Sequence, residues 1–149
     1  MTKTTDRFVF FSSGWLSNFF KAKFEWTCFN ETHIFFCTEQ AFMWAKAKTF
    51  NDDEAAEQIL AESNDPKIIK ALGRKVNGYD NEVWGKVRYD YMLQANKAKY
   101  EQNEDLKLKL LDHKYAGLTF VEASPWDGIW GIKTRIDTPG IEDPANWKG

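Results

Sequence analysis

From Lys23 to Phe29 polar and apolar residues alternate, Lys-Phe-Glu-Trp-Thr-Cys-Phe, the period of a half-buried β-strand. Asn30-Glu31 reads as the turn into a second strand, Thr32 to Cys37, and the pair predicts an antiparallel hairpin. Upstream, Arg7 to Phe11 is a short aromatic strand, broken by Ser12-Ser13-Gly14. Beyond Cys37 the period becomes helical. Thr38 is placed as the cap of a helix from Glu39 to Thr49, and Asn51 or Asp52 opens a second through Ala61. Asp65-Pro66, a capping side chain before a first-turn proline, starts a third helix to about Leu72, with Gly73 as its stop. Asp80 caps a long helix through Lys99 whose apolar stripe is Trp84, Val87, Tyr91 and Ala95. Asn103 precedes a helix from Glu104 to Lys114, ended by Gly117, and Leu118 to Ala123 is strand-like. This order predicts an α+β fold: one mostly helical domain over residues 1–149, with a small N-terminal antiparallel sheet and one C-terminal strand.

Composition changes this picture little. The chain is 43% hydrophobic and 28% charged, ordinary for a globular domain. The aromatic share, 16%, is high, so some rings build the core and others are available as a binding platform. A net charge of -2 supplies no global pull toward nucleic acid or anionic lipid. No apolar run approaches the roughly 20 residues of a membrane span. The start, Met1-Thr2-Lys3-Thr4-Thr5-Asp6-Arg7, lacks the apolar core of a signal peptide, so a cytoplasmic location is expected. Cys28 and Cys37 are then expected to be reduced. With His33 between them they fit no familiar zinc spacing and lack a fourth ligand. His113, the other histidine, sits near a helix end, and two histidines argue against a histidine-based triad.

The candidate chemistry lies elsewhere. Ala123-Ser-Pro-Trp-Asp-Gly-Ile-Trp-Gly131 is a stiff loop that sets one carboxylate, Asp127, between Trp126 and Trp130. Such indoles line a pocket or cap a core. Glu39 falls in the first turn of its helix, where an acid either complements the helix dipole or points into a cleft. Asn18, between Leu16 and Phe19, bonds local backbone or faces a ligand. Arg74, beside Lys70 and Lys75, belongs to a solvated basic face or grips a phosphate. No Walker or dinucleotide glycine pattern is present, and no cofactor is expected through those routes.

In order, these pieces resemble the NADAR (YbiA-like) family: Leu16-Ser17-Asn18-Phe19, Thr38-Glu39-Gln40-Ala41-Phe42, Ala45-Lys46-Ala47, Leu72-Gly73-Arg74, Trp84 before Arg88 and Met92, Ala98-Lys99-Tyr100, and Ser124 to Gly131. The resemblance spans roughly Phe8 to Ile132. It implies an N-glycosidase that hydrolyses an N-ribosyl bond with water and no metal or cofactor. The implied substrates are phosphorylated riboflavin-pathway intermediates or ADP-ribose carried on guanine in DNA. The implied active-site set is Glu39, Trp84, Asp127 and Trp130, with Asn18 and Arg74 nearby. Glu39 and Asp127 are the expected catalytic carboxylates, and the tryptophans the expected base-stacking walls. A non-catalytic module that holds a nucleotide or ADP-ribose is the alternative, and a purely structural aromatic-core protein is a further one. After Gly131 the chain reads Ile-Lys-Thr-Arg-Ile-Asp, without the closing helix usual in the family.

Overall fold

The computed structural model describes residues 1–149 and groups them into two compact units: residues 1–20 with 108–149, and residues 21–107.

The first unit holds a three-stranded sheet of β1 (Thr2–Thr4), β2 (Phe8–Phe11) and β5 (Thr119–Glu122), with β2 in the centre. A central strand buries both faces and tolerates the unbroken apolar run Phe-Val-Phe-Phe. β1 pairs with it antiparallel and β5 parallel, Phe8 lying opposite Thr119. Phe8, Phe10, Val121, Ala123, Ile132, Ile136 and Ile141 form the core of this unit. Trp147 closes it edge-on, 5.3 Å from Phe8 and 6.1 Å from Phe10, while its indole N–H donates to the Ile141 carbonyl at 2.7 Å. The residues after Ile141 run through turns and a short 3-10 turn, Pro144–Asn146. The Lys148 and Gly149 amides both donate to the Ile132 carbonyl.

The second unit begins with the hairpin of β3 (Phe24–Cys28) and β4 (Glu31–Phe35), antiparallel as expected. Its turn is Phe29-Asn30, one residue earlier than the sequence reading. Both residues have positive φ, 54° and 59°, the twist that two-residue hairpins require. Four helices follow: α1 (Thr38–Thr49), α2 (Asp53–Ala61), α3 (Pro66–Arg74) and α4 (Asn81–Gln102). α1 is packed by the other three, so nine of its twelve residues are buried. The caps of α2, α3 and α4 fall on Asp52, Asp65 and Asp80, each side chain accepting backbone amides. Thr38 is not a cap; Cys37 precedes the helix in extended conformation, without a side-chain cap bond. α5 (Glu104–Leu110), whose residues are shared between the two units, ends earlier than expected, and a 3-10 turn of the first unit takes His113–Tyr115.

Gly73 does not stop α3. It lies inside the helix and is buried, and the space of its missing Cβ is filled by the Met43 side chain of α1. The glycine therefore permits a close α1–α3 approach. The whole is α+β.

Candidate active site

Glu39 is the second residue of α1 and only 8% exposed. Its neighbour Gln40 fixes this first turn from three sides. Gln40 Oε1 accepts the Phe36 amide at 2.8 Å, and its Nε2 donates to the carbonyls of Ile59 at 3.0 Å and Glu62 at 2.7 Å. One buried amide thus ties the end of the hairpin, the start of α1 and the end of α2 together.

Glu39, Phe42, Met43 and Lys46 share one face of α1 by their spacing. The Lys46 ammonium donates to the Gly73 carbonyl at 2.8 Å and lies 4.6 Å from the centre of the Tyr79 ring. Burial lowers its pKa, the Glu39 charge works against that fall, and the Arg74 charge adds to it. Lys46 is therefore within electrostatic reach of both an acid and an exposed arginine at the last position of α3. Trp84 is buried, 4% exposed, with its ring 5.1 Å from Phe42, 6.3 Å from Phe50 and stacked 6.1 Å from Tyr91. Glu39, Arg74 and Trp84 thus belong to one neighbourhood of the second unit.

Two lysines there entered the sequence reading only inside family-like motifs, with no role given to either. One is Lys46. The other is Lys99 of α4, wholly buried, its ammonium 4.9 Å from the centre of the Tyr100 ring. Burial brings the Lys99 pKa down to about 8, against which the Cys37 thiolate would act. The same burial pushes the Cys37 thiol up to about 11. A lysine on a helix ordinarily reads as a solvated charge. The sequence signals were its place in Ala98-Lys99-Tyr100 and its position after Ala95 and Ala98 on the apolar side of α4.

In the first unit, Asp127 organises its own loop. Its Oδ1 accepts the amides of Ile129 at 2.8 Å and Trp130 at 3.0 Å. Ser124 Oγ accepts the amides of Trp126 and Asp127, both at 3.2 Å, and the Asp127 carbonyl accepts the Lys133 amide at 3.0 Å. Gly131 is a second requirement: a Cβ there would lie 3.0 Å from the Glu122 carbonyl oxygen and 3.1 Å from that of Asp127. Trp130 is half-buried, whereas Trp126 is 86% exposed. Asn18 is half-buried in a loop of consecutive turns, where Ser17 donates to the Gly14 carbonyl and Phe20 to that of Ser17. Asn18, Asp127 and Trp130 thus lie in the first unit, and Glu39, Arg74 and Trp84 in the second. No group of three or more His, Cys, Asp or Glu side chains gathers where it would hold a metal ion. No helix is long and apolar enough to cross a membrane.

The family model described as the NADAR domain matches residues 3–149. Protein irg-1 of Caenorhabditis elegans is 41% identical over 117 residues, covering 77% of this chain and 54% of its own length. The chain therefore spans about half the length of that relative. N-glycosidase R617 of Acanthamoeba polyphaga mimivirus is 35% identical over 155 residues, 97% of this chain and 89% of its own. Among solved structures, the NMR structure of the E. coli protein YbiA is similar with a TM-score of 0.67. That match has 27% identity and covers 87% of this chain and 74% of the YbiA chain.

Proposed function

The chain belongs to the NADAR domain family, and on that footing we propose that it is an N-glycosidase, a hydrolase of an N-ribosyl bond. Support comes from its likeness to N-glycosidase R617 over nearly its whole length. The observation that carries the reading at residue level is the buried Glu39, held in place by Gln40 and in electrostatic reach of Lys46.

Breaking an N-ribosyl bond develops positive charge on the ribose and negative charge on the departing base. A carboxylate lowers that barrier by activating water, by stabilising the sugar cation, or by protonating the base. In this reading Glu39 and Asp127 divide those tasks. Asp127 is half committed already: its Oδ1 caps two amides, which leaves Oδ2 for the reaction. Trp130 stacks on the leaving base. Trp84 stiffens the aromatic wall behind the Glu39 face of α1. Arg74 is the proposed phosphate contact, in the forked geometry that guanidinium groups favour, and Asn18 a proposed amide contact to a ligand.

Two substrate classes fit: a phosphorylated N-ribosyl intermediate of riboflavin synthesis, and ADP-ribose on guanine in DNA. The deciding experiment incubates the full chain with each and follows the freed base by chromatography. Release by wild type and its loss in Glu39→Gln is the expected result. Equal rates in the two proteins would remove the enzymatic reading. A change of tryptophan fluorescence on ligand addition, with no product, would make the chain a binding module instead.

A further inference from the structure

The Ile132 carbonyl carries more hydrogen bonds than its two lone pairs ordinarily take. It accepts the Thr134 hydroxyl at 3.0 Å, the Lys148 amide at 3.0 Å and the Gly149 amide at 2.9 Å. The Ile132 amide in turn donates to the Glu122 carbonyl of β5 at 3.0 Å. Ile132 thus joins β5, the loop that carries Asp127 and Trp130, and the segment Trp147-Lys148-Gly149. Trp147 anchors that segment in the core, edge-on to Phe8 and Phe10, with its N–H on the Ile141 carbonyl. Gly149 then lies against the backbone of the loop. A Cβ on it would strike Gly128 Cα and come within 2.9 Å of the Gly131 carbonyl oxygen and 3.0 Å of that of Gly128. All three are backbone atoms, so no flexible side chain can turn aside to admit it. The φ of Gly149 lies outside the left-handed range, so close approach, not backbone freedom, requires glycine there. Lys133, next to Ile132, has a φ of +50°, unfavourable for a lysine. Such a residue persists only where its surroundings over-determine it, and its amide is held by the Asp127 carbonyl at 3.0 Å.

We propose that Gly149 is a positioning residue for Asp127. Its backbone braces Gly128 and Gly131, and so fixes the loop whose Ile129 and Trp130 amides are accepted by Asp127 Oδ1. The role deepens the N-glycosidase reading and rests on it. Gly128 and Gly131 flank the residues that matter, and glycines restrain their own backbone least. Gly149 supplies from outside the loop the restraint that they lack. That restraint bears on rate, because a misplacement of about 1 Å at a reacting group can cost about a hundredfold.

The test is amide hydrogen exchange by NMR on wild type, Gly149→Ala and Lys148→Ala, with turnover of the two substrates named above measured on the same proteins. Lys148 is exposed, and Lys148→Ala keeps both amides that meet Ile132, so it serves as the control. Gly149→Ala is expected to speed exchange of the Ile129 and Trp130 amides about tenfold or more while the amides of β2 keep their wild-type rates. The same variant is expected to lower kcat/KM about tenfold or more, and Lys148→Ala to change neither quantity. Unchanged exchange at Ile129 and Trp130 in Gly149→Ala overturns the proposal. So does an equal acceleration in β2, which would make Gly149 a residue of general stability alone. A loosened loop with undiminished turnover overturns it as well. The exchange measurement needs no substrate and so separates the two readings. If wild type hydrolyses neither substrate yet Gly149→Ala loosens only the loop, the brace stands and the glycosidase falls.

Discussion

Asp127 and Lys99 give the sharpest consequences of single side chains. Asp127→Asn keeps an oxygen that accepts the Ile129 and Trp130 amides but removes the charge. Turnover is expected to disappear while the thermal midpoint moves little. Asp127→Ala removes the acceptor as well, at about 1–2 kcal/mol of stability, which urea unfolding reads. An Asn variant as unstable as the Ala variant would make the carboxylate structural. For Lys99, the folded pKa of about 8 lies below its ordinary 10.5. Between those values the unfolded chain binds a proton that the folded chain has released, so stability rises with pH through that window and is flat below it. Cys37, raised from 9.0 to about 11, acts in the opposite sense, weakly from about pH 8 and fully above pH 9. From pH 8 to 9 the wild type is therefore expected to gain about 1 kcal/mol, measured by urea unfolding, and Lys99→Met to gain none. At this scale sequence reasoning found Asp127 because Pro and Gly mark a built loop around it. It quoted Lys46 and Lys99 in family-like motifs but gave them no role, because burial of a lysine depends on helix packing that no local pattern encodes.

Helix ends were legible wherever a side chain caps locally, as Asp65-Pro66 and Asp80 do. They were misread where the deciding contact is distant. Gly73 has the composition of a helix stop, yet its function is to admit Met43 from α1. Gly73→Ala gains helix propensity of about 1 kcal/mol and creates a clash inside a packed layer that costs about 1–3 kcal/mol. The net expectation is a loss, visible as a lower urea midpoint. In a Met43→Ala background the same change is expected to be neutral or favourable, because the occupant of that space is gone. Equal losses in both backgrounds would mean that the α1–α3 approach does not depend on this glycine. The hairpin was found from its alternation. Its turn was placed one residue late because Phe29, an aromatic with positive φ, carries no turn signal in sequence.

For the molecule as a whole, α+β was readable from the order of elements, but the wiring of the sheet was not. β1, Thr-Lys-Thr, is polar and exposed, so periodicity is silent about it. The parallel partnership of β2 and β5 is set by packing between residues far apart in the chain. We propose that residues 1–149 nevertheless act as one domain, since one family model runs through both compact units. The expected outcome is a single urea transition that coincides by tryptophan fluorescence and far-UV circular dichroism; two separated transitions would divide the domain. The β2–β5 pairing also constrains synthesis. When Phe8–Phe11 leaves the ribosome, its partner Thr119–Glu122 is still roughly a hundred residues from emerging, a delay of about 5–20 s at about 5–20 residues per second. Through that interval one edge of an apolar strand stays unpaired, and β1 covers only the other. A nascent chain arrested before Thr119 should recruit chaperones or a hydrophobic dye, and one extended past the native core residue Ile141 should release them. The aggregation risk of this fold is thereby concentrated in its first dozen residues during translation, and a circular permutant that starts at β5 would shorten it.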